Sequence, residues 1–186
     1  MSTVNVQECQ RPLRARYQTE PGAAWVIDSA RTHSTDPRDP FHFTVEPRQG
    51  SGLRWPVGVH SAVGGVYDAP CPGDMLCAAL AACQESSIRM VANLLGVELV
   101  SLSVEVTGGV DVRGALGVDP QVPVGFQSLR CDVHVQAQEG IRPELLAKLR
   151  TAAERCCVVL QTLRQPPSMQ TVYHGEAVSG KTPAAL

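Results

Sequence analysis

One run of sequence with a single charge decides the fold of this chain: Ala69-Pro70-Cys71-Pro72-Gly73-Asp74-Met75-Leu76-Cys77-Ala78-Ala79-Leu80-Ala81-Ala82-Cys83. Proline is tolerated at the first position of a helix because its missing N–H has no partner there, so Pro72 predicts a helix start. The helix is expected to run to about Leu95, because Gly96 suits the left-handed residue that follows many helices. Its apolar residues are not confined to one stripe, which is typical of a buried helix.

A second apolar helix is predicted from Pro143 to about Leu163. It carries Cys157, which lies 74 residues after Cys83. Packed helix axes are about 8–10 Å apart and Cα atoms lie about 2.3 Å from each axis, so cysteines facing each other on two packed helices come within disulfide range. The two thiols are therefore candidates for redox chemistry. A buried cysteine also behaves as a small hydrophobe, so an inert pair of core cysteines is the alternative.

Alternation of apolar and polar residues predicts strands on both sides of these helices. They are expected over residues 97–112 and 126–137, at Phe41–Val45, in a hairpin over 14–29 that turns at Pro21-Gly22, and in a last edge strand over 169–178. The resulting order is β-β-(β)-α-β-β-α-β. Short connections between neighbouring strands favour antiparallel pairing, and hence the α+β class.

The size of the chain, 186 residues, predicts a single domain over residues 13–178, with an N-terminal arm over 1–12 and a flexible tail over 179–186. The formal charge of −2 gives no electrostatic reason to expect nucleic acid or an anionic membrane as a partner. No apolar stretch approaches the roughly 20 residues that span a bilayer. Residues 1–20 also lack the apolar core of a signal peptide.

The spacing of the cysteines and histidines indicates the redox state of the thiols and whether a metal site is expected. Seven cysteines without a C-x-x-C pair indicate free thiols in a cytoplasmic protein. The five histidines lack the spacing of metal ligands, so we expect neither a metal nor a cofactor. Cys131 and Cys156 are expected in the core, and Cys71 at the entry of the first long helix.

Three segments resemble the OsmC/Ohr family, the osmotically inducible and organic hydroperoxide resistance proteins: Pro72–Cys83, Ile88–Ala92 and Cys157–Leu163. The likeness covers roughly residues 13–178. It implies an OsmC-like fold, in which two long central helices pack against antiparallel sheets in an intertwined homodimer. It also implies a thiol-dependent peroxidase. Cys83 attacks an organic hydroperoxide and becomes a sulfenic acid, Cys157 condenses with it to a disulfide, and a dithiol reductant of the lipoyl type restores the pair.

Two positions differ from the family pattern. The family has a glutamate ten residues before the first cysteine, where this chain has Gly73, and Asp74 is the candidate for a catalytic carboxylate. The family also has an arginine in the first hairpin, and the turn over residues 20–24 has none. Because a helix dipole acts mainly in the first turn, Cys83 needs a cation from another segment. The sequence offers three for this role, Arg16, Arg31 and Arg54.

Two other functions stay open at this point. The first is a non-catalytic protein of the OsmC fold that binds an apolar ligand at the dimer interface. The second is cysteine-based acyl transfer, which requires a histidine beside Cys83, and none is close to it in the sequence.

Overall fold

The structure, a computed structural model, describes residues 4–175 of the chain. It combines helices with antiparallel strands, which is the α+β class predicted from the sequence. The helices are α1 (Val6–Thr19), α2 (Pro72–Leu95), α3 (Pro143–Cys156) and α4 (Val158–Arg164). The strands are β1 (Arg31–His33), β2 (Phe43–Glu46), β3 (Trp55–Val57), β4 (Leu99–Gly109) and β5 (Ser128–Ala137).

The first element is a helix, so the hairpin predicted over residues 14–29 is wrong. Asn5 caps α1, because its side chain accepts a hydrogen bond from the N–H of Glu8 at 3.2 Å. The helix is rich in glutamine, glutamate and arginine, which lose little rotamer freedom in a helix. The Pro21-Gly22 pair begins a short 3-10 helix instead of a hairpin turn. Helix α1 also crosses the boundary predicted at residue 12 between an arm and the domain.

Helix α2 has the bounds predicted for it. Pro72 occupies its first turn, and Gly96 follows its end with a φ of 66°, a conformation that glycine adopts without a steric cost. Asn93, near that end, also holds the start of α1. Its side chain accepts from the N–H of Val6 at 2.9 Å and donates to the carbonyl of Val4 at 2.9 Å.

The strands form two antiparallel sheets. β1, β2 and β3 pair in that order, and β2 is the strand predicted at Phe41–Val45. β4 and β5 pair from Leu99 opposite Ala137 to Gly109 opposite Ser128, within the two stretches predicted as strands. Between the sheets the chain crosses itself closely at Gly65, where a Cβ would lie 2.0 Å from the Val59 carbonyl oxygen. Only glycine fits there.

The core lies where α2, α3 and β4 meet. Its buried members are all aliphatic: Ile88, Val91, Ala92, Val97, Leu149 and Ala153. Helix α3 contributes Leu149 and Ala153, so its packing against α2 is close and apolar. This contact sets the position of the C-terminal end of α3 relative to the middle of α2.

The last predicted strand is wrong in the part that the structure describes. Residues 169–175 have no strand, and Met169 and Tyr173 are each 91% exposed. A strand needs a neighbour to accept its hydrogen bonds, and this segment has none within residues 4–175. Residues 176–178 and the predicted tail over 179–186 lie outside the described residues. Within residues 4–175, none of the helices combines the length and the hydrophobicity that spanning a bilayer requires.

Candidate active site

Cys83 lies in the middle of α2. Asp74 accepts hydrogen bonds in the first turn of this helix and stabilises its start. The Asp74 carboxylate accepts a hydrogen bond from the N–H of Cys71 at 2.8 Å and another from the Tyr67 hydroxyl at 3.2 Å. Burial opposes the charge on Asp74, but these hydrogen bonds prevail and lower its pKa. Both oxygens of Asp74 are therefore engaged at the helix start. A catalytic role for Asp74 stays a prediction.

Cys157 lies at a break between α3 and α4, where the sequence predicted one continuous helix to Leu163. Its backbone is extended, with φ −76° and ψ 99°. The break is accommodated by Gln161. Its side chain donates to the Glu154 carbonyl at 2.8 Å, and its N–H donates to the Cys157 carbonyl at 2.9 Å to begin α4. The break separates the vicinal thiols, because Cys157 is 0% exposed whereas Cys156 is exposed. The core position predicted for Cys156 is wrong.

The structure brings Cys83 and Cys157 together. The Cys157 thiol has three polar neighbours: the Cys83 thiol, the Ser87 hydroxyl and the Leu160 N–H. Both cysteines carry free thiols. A thiol in the middle of α2 that lies near a thiol at the break between α3 and α4 has the arrangement that disulfide formation requires.

Burial is the main cause that raises the pKa of Cys157. The Cys83 thiol also raises this pKa, whereas the Leu160 N–H and the Ser87 hydroxyl lower it. The net direction is upward, so Cys157 is mostly a neutral thiol at pH 7. The Leu160 N–H and the Ser87 hydroxyl are therefore the groups that favour the reactive thiolate of Cys157.

None of the arginines proposed as activators contacts the pair. Arg16 is exposed and pairs with Glu20 at 3.1 Å, Arg31 lies on β1, and Arg54 is exposed ahead of β3. Within residues 4–175 no hydrogen bond or ion pair joins an arginine to Cys83 or Cys157. A side chain at the position of the family glutamate would be tightly packed, because a Cβ on Gly73 would lie 3.2 Å from the Phe126 ring.

A large cavity of about 1230 Å³ opens beside the first turns of α2, away from both thiols of the pair. Its walls are mainly apolar and come from α2, β4 and the segment up to Phe126. The polar lining includes His60, Asp74, Cys71 and Cys77. Burial first, and then the charges of Asp74 and Cys71, raise the pKa of Cys77, so its thiol is a poor nucleophile.

Two buried polar residues of α2 were missed by the sequence interpretation, which treated this helix as apolar. Ser87 is 2% exposed and acts to lower the pKa of Cys157 against the effect of burial. Gln84 is 5% exposed, its side-chain oxygen lacks a hydrogen-bond partner, and it lines a second cavity of about 390 Å³ with Cys131. For Ser87 the available signal was its spacing of four residues from Cys83, since residues four apart share a helix face, whereas Gln84, adjacent to Cys83, had no such signal.

The remaining thiols are dispersed. Cys71 is buried at the start of α2, as expected, whereas Cys9 is exposed on α1. Cys131 is only half-buried, and burial followed by the charges of Asp132 and Glu154 raises its pKa. In the part of the chain that the structure describes, no group of three or more histidine, cysteine or acidic side chains is arranged to hold a metal ion.

The chain was compared with protein families, with curated proteins and with solved structures. The sequence profile of a family described as OsmC-like protein matches residues 65–172, more than half of the chain. The chain matches no curated protein at a significant level.

Solved structures with a similar fold include an OsmC-like protein from Mycoplasma pneumoniae, 12% identical, with a TM-score of 0.59 over 76% of this chain and 89% of that one. An organic hydroperoxide resistance protein OsmC from Legionella pneumophila is 23% identical, with a TM-score of 0.55 over 76% of this chain and 92% of that one. An organic hydroperoxide resistance protein from Elizabethkingia anophelis is 19% identical, with a TM-score of 0.54 over 76% of this chain and 91% of that one. At these identities the likeness shows the fold.

Proposed function

The chain belongs to the family of OsmC-like proteins, and from this premise we propose that it is a thiol-dependent peroxidase that reduces organic hydroperoxides through Cys83 and Cys157. The observation that carries the proposal is the proximity of the two thiols: Cys83, in the middle of α2, acts on the pKa of Cys157, which is buried at the α3–α4 break. Two of the solved structures with this fold are organic hydroperoxide resistance proteins.

The reaction uses the pair in two steps. The Cys83 thiolate attacks one oxygen of the hydroperoxide, an S–O bond forms, the O–O bond breaks, and the alkoxide leaves as the alcohol after taking a proton. Cys83 is then a sulfenic acid. The Cys157 thiolate attacks its sulfur, an S–S bond forms, the S–O bond breaks, and hydroxide leaves as water. A dithiol reductant, of the lipoyl type in the family resemblance, returns the disulfide to two thiols.

The active unit in this proposal is a homodimer. Trp25, Val26 and Ile27 follow one another with 81%, 82% and 81% of their surface exposed. Apolar side chains so exposed are expected to be covered by a partner. A second copy of the chain is the partner implied by the family fold, and light scattering should give twice the chain mass of 19.9 kDa.

The mass of the intact protein after reaction with one equivalent of cumene hydroperoxide tests the proposal. Disulfide formation removes two hydrogen atoms, so we expect a loss of two daltons. Cys157→Ser should instead hold Cys83 as a sulfenic acid, which dimedone traps as an adduct. Cys156→Ser is the matched control, because it removes the adjacent exposed thiol and should leave the two-dalton loss unchanged. Protein that stays unreacted, or reacts only at other cysteines, contradicts the peroxidase.

The large cavity supports a second candidate function, a non-catalytic protein that binds an apolar ligand. It is mainly apolar, it is big enough for a drug-sized molecule, and it holds neither thiol of the pair. The proximity of Cys83 and Cys157 has no role in ligand binding, so this function is the second candidate.

Filling the cavity tests whether it binds apolar molecules. Ala81 lines it, so Ala81→Phe places a ring in the space and should weaken binding of anilinonaphthalene sulfonate at least tenfold. The measurement is a fluorescence titration. Ala15→Phe, on the exposed surface of α1, is the control and should bind the dye like the native protein. Equal affinity for all three proteins would exclude the cavity as the binding site.

A further inference from the structure

We propose that the second cavity, which lies between α2, β5 and α4, is a binding site for a small neutral molecule with an apolar body and an O–H group. Gln84 accepts the hydrogen bond from that group. The residues that line this cavity include neither thiol of the redox pair. The site therefore goes beyond the proposed peroxidase and does not depend on it.

The walls of the cavity are formed by one face of each element. Residues three or four apart share a face of a helix, and alternate residues share a face of a strand. The volume is about 390 Å³, within the range of about 300–1,000 Å³ that is common for sites of small organic molecules. The apolar lining residues suit an apolar body, and they are Leu80 of α2, Leu129 and Val133 of β5, and Leu160 and Leu163 of α4.

Gln84 supplies a buried polar group to this cavity. It is 5% exposed, and its side-chain oxygen has no hydrogen-bond partner among residues 4–175. Leu80, one turn earlier on the same face of α2, is 2% exposed. Burying an amide oxygen without a partner opposes folding, whereas an apolar side chain of similar shape would carry no such cost. Because this oxygen can only accept a hydrogen bond, the ligand that completes it must be a donor.

The charges in the lining favour a neutral ligand. Glu154 and Arg164 are its ionic side chains, and they pair with each other at 3.0 Å. About half of each side chain is exposed, so the pair lies toward solvent while Gln84 lies at the buried side. In this lining, which belongs to the described part of the chain, the two charges compensate each other. A carboxylate, a phosphate or an ammonium ion therefore gains no free counter-charge there.

Two matched ligands and two variants test the hydrogen bond. Cumyl alcohol has the O–H donor, and its methyl ether keeps the oxygen without the donor. Calorimetric titration of the full chain should show tighter binding of the alcohol by about fivefold or more, because the ether leaves the buried acceptor unsatisfied. Gln84→Met removes the amide from a side chain of similar length and should abolish this preference. Gln121→Met, at an exposed glutamine outside the cavity, should keep it.

Alkylation of Cys131 reports where the alcohol binds. Cys131 is half-buried and lines this cavity, whereas Cys77 is half-buried and lines the large one. Saturating cumyl alcohol should slow the reaction of Cys131 with N-ethylmaleimide, followed by peptide mass spectrometry. This measurement and the two ligands on native protein decide the question even if Gln84→Met folds poorly.

Three results would overturn the proposal. The first is protection of Cys77 without Cys131, which would place the alcohol in the large cavity. The second is native protein that binds neither ligand, or both equally. The third is a preference for the alcohol that survives in Gln84→Met, because an ether excluded by its size alone would be disfavoured equally in native protein and in this variant.

Discussion

Replacement of Cys83 by serine is expected to reduce hydroperoxide consumption to the rate of the uncatalysed reaction. The thiolate is the nucleophile that attacks the peroxide, and a serine hydroxyl neither ionises near neutral pH nor accepts an oxygen atom in a stable product. Cys157 does not take its place, because it is fully buried and its pKa is raised. The measurement is the loss of cumene hydroperoxide with time, in the presence of a dithiol that turns the enzyme over.

Cys77→Ser is the matched control for this variant. Cys77 lies on the same helix, is half-buried like Cys83, and lines the large cavity instead of contacting Cys157. We expect the Cys77 variant to consume hydroperoxide at the native rate. The reverse result, activity lost with Cys77 and kept with Cys83→Ser, would move the chemistry to the cavity at the start of α2.

Leu149→Ala is expected to destabilise the protein by about 2–5 kcal/mol, the range for truncating a leucine in a well-packed core. Leu149 is 2% exposed and belongs to the cluster where α2, α3 and β4 meet. A chain of 186 residues should lose roughly 4–20 °C in Tm from such a change. Urea unfolding gives the free energy, and a thermal scan gives Tm.

Leu53→Ala makes the same substitution at a leucine that is 56% exposed, and its effect should be within about 0.5 kcal/mol. A similar loss from both variants would mean that α3 does not rest on α2 as described. Because Leu149 packs α3, the helix that ends directly before Cys157, into the core with α2, its loss should also slow disulfide formation beyond what Leu53→Ala does.

Much of the fold could be predicted because its signals are local. Pro72 and Gly96 mark the ends of α2 through properties of single residues, a missing N–H and a free choice of φ. The alternation in β4 and β5 likewise reports which side chains face the core. The hairpin prediction over residues 14–29 failed for a related reason. Pro-Gly is a turn signal in many contexts, and the cap at Asn5 and the run of helix formers before it decided the conformation instead.

The sequence by itself determined the helix and strand segments around the site, the family of the chain and the pair of cysteines worth testing. The tertiary structure alone decided that α3 breaks at Cys157, that Cys157 is buried while Cys156 is exposed, and that Cys157 lies near Cys83. It also left Arg16, Arg31 and Arg54 without contact to the pair in the described chain. The physical reason is that a proline or glycine acts on its own backbone, whereas the proximity of Cys83 and Cys157 depends on how segments that are distant in sequence pack against each other.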